Sequence, residues 1–115
     1  MRNLKNKVAV ITGGASGLGL AMAKRFGREG MRIVLADIEL ERLNAAVADL
    51  ENLGVAAIGV SCDVSRAEDV ENLAHRTLEH FGSVNVVCNN AGVAPSGLIW
   101  EHSTKDWEWA FGPNV

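Results

Sequence analysis

Glycine fills four of the eight positions in Thr12-Gly13-Gly14-Ala15-Ser16-Gly17-Leu18-Gly19, a run that follows the apolar stretch Val8–Ile11 and opens an amphipathic one. A glycine-rich turn between a strand and a helix is suited to binding phosphate. Without Cβ atoms, Gly13 and Gly17 let the chain turn tightly and let backbone N–H groups approach a pyrophosphate. Gly19 permits close helix–strand packing. The spacing is GxxxGxG rather than the GxGxxG of the common dinucleotide fingerprint, so the match is one of mechanism. The competing reading is a tight strand-to-helix turn with incidental glycines.

Three further groups fall where such a turn would need them. Asp37 ends the second apolar run, 18 residues after Gly19, near the separation at which a carboxylate accepts hydrogen bonds from ribose hydroxyls. A 2′-phosphate there would meet a like charge. No Lys or Arg lies inside the glycine run to neutralise one, so NAD is expected in preference to NADP. The same Asp could instead serve the start of the following helix. Asp63-Val64 lies beyond the third apolar run, where the carboxylate could accept the amino group of adenine or could be an ordinary loop Asp before Ser65. Asn89-Asn90-Ala91-Gly92 follows the fourth run; its amides can tie strand ends together and reach a ribose, and a plain turn would also use them.

Four apolar runs, Val8–Ile11, Arg32–Ala36, Ala56–Val60 and Val84–Cys88, alternate with three amphipathic stretches. This is the rhythm of repeated strand-helix units, and apolar runs without polar alternation imply strands buried on both faces. The first helix is expected over Gly17–Glu29, with Leu18, Met22 and Phe26 on one stripe. The second starts near Glu39, with Leu40, Leu43, Val47 and Leu50 as its buried face. The third opens with a capping box at Ser65-Arg66-Ala67-Glu68, and Gly30, Gly54 and Gly82 act as stops. After Cys88 a polar loop to about Ser103 precedes a fourth helix through Trp107 and Phe111. Right-handed crossovers then give a parallel sheet of order 3-2-1-4, a partial doubly wound α/β fold of the Rossmann type, with residues 1–115 as one incomplete domain.

Composition bounds the function. With 48% hydrophobic residues the 115-residue chain can build a core, and its formal charge of −3 argues against nucleic acid or an anionic membrane as partner. No early apolar run is long enough for a signal peptide or a membrane span, so a cytoplasmic protein is expected. Cys62 and Cys88 lack CxxC spacing, and the strand order separates their strands by about 14 Å, which excludes a disulfide; no metal site is expected. The chain contains no tyrosine, so no acid/base chemistry that needs a phenol can be completed within it.

Taken together, these residues resemble the short-chain dehydrogenase/reductases. Thr12 to Gly19 is similar to that family's TGxxxGxG cofactor motif, Asp37 to its NAD-selecting acid, Asp63-Val64 to its adenine contact and Asn90-Ala91-Gly92 to its NAG motif. The four features occur in order along the whole chain. The resemblance implies hydride transfer between an alcohol or ketone and NAD, with cofactor contacts from Gly13, Ala15, Ser16, Gly17, Leu18, Gly19, Asp37, Ile38, Asp63, Val64, Asn90, Ala91 and Gly92. It implies a small-molecule substrate and a homo-oligomeric complete protein.

In that family a Ser positions the substrate oxygen, a Tyr is the acid/base and a Lys lowers its pKa; bringing a phenol from about 10 toward 7 takes roughly 4 kcal/mol. By the resemblance these residues lie beyond Val115, so the 115 residues are expected to form the cofactor-binding half and to lack turnover on their own. Asn114-Val115 matches the start of the pattern around the family's fourth catalytic residue, an Asn, whereas Gly112-Pro113 reads equally as a helix stop. Ser96 follows the fourth strand and the family serine follows the fifth, so Ser96 is given no role. His102 reads as a loop histidine, and His75 and His80 as surface residues. A non-catalytic dinucleotide-binding module and a non-functional truncated product are the other two classes left open.

Overall fold

A computed structural model describes residues 4–90, 98–101 and 108–111, with side chains for 4–90. Nine elements follow in order: β1 (Val8–Thr12), α1 (Gly17–Arg28), β2 (Arg32–Asp37), α2 (Leu40–Asn52), β3 (Ala57–Ser61), α3 (Ala67–Phe81), β4 (Val86–Asn89), β5 (Leu98–Glu101) and β6 (Glu108–Phe111). The sheet order is β3-β2-β1-β4-β5-β6. Its first four strands are parallel, with Val10 opposite both Val34 and Val87.

The unbroken apolar strands are explained by two cores, one on each face. Ala9, Ile11, Ile33 and Leu35 pack with Ala23 of α1 and with Leu43, Ala46 and Leu50 of α2. Val8, Val10, Val34 and Ala36 pack with Val60, Val87 and Leu73 of α3 on the other face. Side chains alternate across a strand, so a strand covered by helices on both sides must be apolar at every position. At the amino edge the Asn85 amide oxygen accepts the Val8 N–H at 2.8 Å, fixing β1 beside the entry to β4. Gly30, Gly54 and Gly82 all adopt the left-handed conformation expected of stops.

Four sequence expectations are corrected. Leu18 is 64% exposed and Leu40 is 56% exposed. The buried residues of α1 are Gly19 and Ala23 and those of α2 are Leu43, Ala46 and Leu50, which leaves the opening residue of each stripe outside the core. The capping box does not form. α3 starts after Arg66, the Ser65 hydroxyl donates to Asp63, and Glu68 pairs with Arg66; Asp63 lies closer in the turn and captures the hydroxyl that the box would use.

The region read as loop and fourth helix contains β5 and β6, an antiparallel pair that adds to β4. Each strand is only four residues long, too short for periodicity to separate helix from strand. Pairing satisfies the backbone groups along the edge of β4. That edge is therefore covered by β5.

Candidate functional site

The carboxyl ends of β1, β2, β3 and β4 lie along one edge of the sheet, where the glycine turn follows β1. Gly13 sits at φ +64°, a left-handed conformation that costs an L side chain about 1–2 kcal/mol. Its carbonyl accepts from the Ser16 N–H at 3.2 Å and the Ser16 hydroxyl at 2.8 Å, closing the turn. A Cβ on Gly19 would lie 2.2 Å from the Gly13 oxygen. The glycine thus lets the helix start against the turn, rather than against the strand. Gly14 is equally confined: a Cβ there would lie 2.7 Å from Leu35 Cδ2.

Gly17 differs, because a Cβ there would meet nothing within 4 Å. Its glycine is not required by packing. The Leu20 N–H is the first of α1 to find an acceptor, on Ser16, so the N–H groups of Gly17, Leu18 and Gly19 have none among the described residues. Three orphan donors at the positive end of a helix, beside open space and without a side chain in front, fit an anionic diphosphate. No acidic residue lies in the first turn of α1 to oppose one.

Asp37 closes the other side. Its Oδ2 accepts the Ala15 N–H at 3.1 Å and its Oδ1 the Glu39 N–H at 3.0 Å. The carboxylate thus serves the chain before α2, as one of its two readings has it, and also ties to the glycine turn. The Gly14 N–H donates to the Ala36 carbonyl at 3.2 Å, a second tie between turn and β2. Ile38, the next residue, is 66% exposed. Leu18, in the first turn of α1, is exposed as well, so each offers apolar surface on which a flat ring could rest.

Beyond β3, Asp63 Oδ1 accepts the Ser65 N–H at 3.0 Å and the Ser65 hydroxyl at 2.6 Å. These bonds hold its carboxyl below the usual Asp range, the Ser65 hydroxyl being the largest cause. Cys62 and Cys88, both buried and unbridged, are pushed up to about 11 by burial, Asp69 and Asp63 adding to the rise at Cys62. Neither is a thiolate near neutral pH, which excludes both as nucleophiles there.

Sequence reasoning gave the Thr12 hydroxyl no role. It donates to Asn89 Oδ1 at 2.8 Å and accepts the Asn90 N–H at 3.0 Å, joining the ends of β1 and β4 at the switch point. Asn90 Nδ2 reaches the Gly13 carbonyl at 3.5 Å. A Thr at the last position of a buried strand, next to a turn, was the available signal. Asp69, whose Oδ2 accepts the Asp63 N–H at 2.9 Å, was hidden among the acids of an ordinary helix start. Ala91, Gly92, Ser96, His102 and Asn114 lie outside the described residues, as do Gly112 and Pro113.

The family model for short chain dehydrogenases matches residues 7–115. The chain belongs to the short-chain dehydrogenase family. A C alpha-dehydrogenase of Sphingobium sp. strain SYK-6 is 39% identical over 116 aligned residues, which take in 100% of this chain and 38% of the relative. A short-chain dehydrogenase/reductase from Burkholderia phymatum in complex with NAD superposes with a TM-score of 0.73 at 42% identity, over 76% of this chain and 31% of the other. The L-sorbose reductase of Gluconobacter frateurii complexed with NADPH and L-sorbose gives 0.75 at 39% identity, over 81% and 36%. The chain thus spans well under half the length of these short-chain dehydrogenase relatives.

Proposed function

We propose that residues 1–115 form one domain that binds NAD across the carboxyl edge of the sheet, for an oxidoreductase that interconverts an alcohol and a ketone. The observation that carries this reading is the pairing of three N–H groups at Gly17–Gly19 that have no acceptor among the described residues with open space in front of Gly17. Relatives of this family crystallised with NAD and with NADPH support a nicotinamide dinucleotide. NAD is the reading for this chain because Asp37 borders the turn and forms no ion pair among the described residues.

In this proposal the diphosphate rests on the α1 N-terminus between Gly13, Ser16, Gly17 and Gly19, with Ala15 held back by Asp37. Asp37 accepts from the adenosine ribose, Leu18, Ile38 and Val64 flank the adenine, and Asp63 accepts its amino group. Asn90, with Ala91 and Gly92, lines the way to the second ribose. The bound nicotinamide supplies the hydride acceptor or donor. The chain's own residues bind and orient it, and the acid/base step belongs to residues of the complete protein, with Asn114 proposed as a participant. The complete protein is proposed to act on a small-molecule alcohol or ketone, as a homo-oligomer in the cytoplasm; among the described residues no helix is long and apolar enough to cross a membrane.

The absence of tyrosine from these 115 residues favours a second, narrower reading of the chain alone, as a dinucleotide-binding module without turnover. Calorimetric titration with NAD and NADP tests both. Saturable binding with NAD the tighter ligand, and no absorbance change at 340 nm with alcohols, is the expected result. Absence of saturable binding to either dinucleotide would sink the reading.

A further inference from the structure

We infer that Asp69 is a positioning residue for adenine selectivity, acting through Asp63, an inference that rests on the proposed reading of Asp63 as the adenine contact. In sequence Asp69 looks like a helix-start acid, as Glu68 does. The two behave differently. Glu68 is 76% exposed and pairs with the exposed Arg66, whereas Asp69 is half-buried and turns back out of α3 to accept the main-chain N–H of Asp63 at 2.9 Å.

Asp63 is consequently held at two points. Asp69 fixes its backbone, and Ser65 fixes one carboxylate oxygen, Oδ1, through both its N–H and its hydroxyl. The other oxygen, Oδ2, has no hydrogen bond among the described residues. A third tie, from the Cys62 N–H to the Asp37 carbonyl at 3.1 Å, sets this segment against the end of β2. The result is one carboxylate oxygen of fixed position just beyond the carboxyl end of β3, without a hydrogen bond among the described residues. Such an oxygen accepts from an amino group and repels a carbonyl at the same place. Discrimination of that kind depends on position more than on charge, so losing the Asp69 anchor should relax it even with the Asp63 carboxylate intact.

The test compares binding of NAD with binding of nicotinamide hypoxanthine dinucleotide, which carries a carbonyl where adenine has its amino group. The unmodified 115-residue chain should prefer NAD by about tenfold or more, the size of a hydrogen bond to a charged acceptor. Asp63→Ala should bring the ratio close to one. Asp69→Ala should remove most of the preference, and Asp69→Asn, whose amide oxygen can still accept the Asp63 N–H, should retain it. Both Asp69 variants lose the same charge at the α3 N-terminus and should melt at lower temperature, so only a positioning role separates them. Asp69→Ser, with a shorter side chain that suits a helix start, replaces Asp69→Ala should that variant not fold. In an Asp63→Ala background, Asp69→Ala should leave the ratio unchanged. A ratio lost in Asp63→Ala and kept in Asp69→Ala would overturn the role of Asp69 alone. A ratio unaffected by Asp63→Ala, or an unmodified chain that binds neither dinucleotide, would overturn the reading of Asp63 and this inference with it.

Discussion

Two glycines of one turn are constrained for opposite reasons, and substitution separates them. Gly19→Ala places a methyl 2.2 Å from a backbone oxygen; the turn must move, at a cost of about 1–3 kcal/mol or more, and denaturant unfolding should show that loss. Gly17→Ala meets nothing and exchanges a poor helix former for the best one, so stability should hold or rise by up to about 1 kcal/mol while dinucleotide affinity falls at least tenfold. A Gly17→Ala chain that still bound NAD as tightly would remove the diphosphate from this position. Asp37→Ser should lower affinity for NAD and narrow its preference over NADP, read from paired titrations; the Ala15 tie means that part of the loss reflects a looser turn. The glycine turn, Asp37, Asp63 and Asn90 were all legible as residue types at characteristic spacings. Thr12, Gly14 and Asp69 were not, because their roles are contacts made by folding: a hydroxyl bridging strands 77 residues apart, a backbone pressed on Leu35, and a carboxylate reaching back to an amide.

At the scale of elements, the strands and helices over residues 8–89 followed from apolar runs and helical period, since a strand covered on both faces has little compositional freedom. Helix ends were less legible, because several nearby polar groups compete for the same donors. At α3, Asp63 captured the Ser65 hydroxyl. Glu68→Gln should therefore change stability by less than about 0.5 kcal/mol, the range for an exposed pair, where a working capping box would cost about 1 kcal/mol; thermal unfolding decides between them. The Ser65 bonds also carry a pH dependence. The Asp63 carboxyl titrates lower folded than unfolded, so its contribution is complete above the ordinary Asp value of 3.8 and is lost as pH falls through the folded value. Asp63→Asn should flatten the acid limb of the stability profile, and an unchanged limb would show that the Ser65 contacts do not persist in solution. The β5–β6 pair lay beyond the sequence argument because four-residue strands have no period to read and are defined by the edge they cover.

For the molecule as a whole, both thiols are buried within the two cores, Cys88 with Ala9 and Ile11, Cys62 with Val60 and Leu73. Their folded values near 11 lie above the ordinary thiol value of 9.0, so the stabilisation is complete below about pH 9 and is lost as pH rises toward 11. Disulfide-exchange reagents at pH 8 should modify neither thiol in the native chain and both after unfolding. The sheet order brings the orphan N–H groups of α1, the Asp37 carboxylate and the Asn90 amide to one edge from three separate connections, which is the arrangement of a ligand crevice at a topological switch point. That crevice is read most directly by following backbone amide resonances while NAD is added. Saturable shifts largest at Gly17, Leu18 and Gly19, with Ala15 and Asp37 next, are expected; saturable shifts centred elsewhere, with these three amides unmoved, would contradict the account.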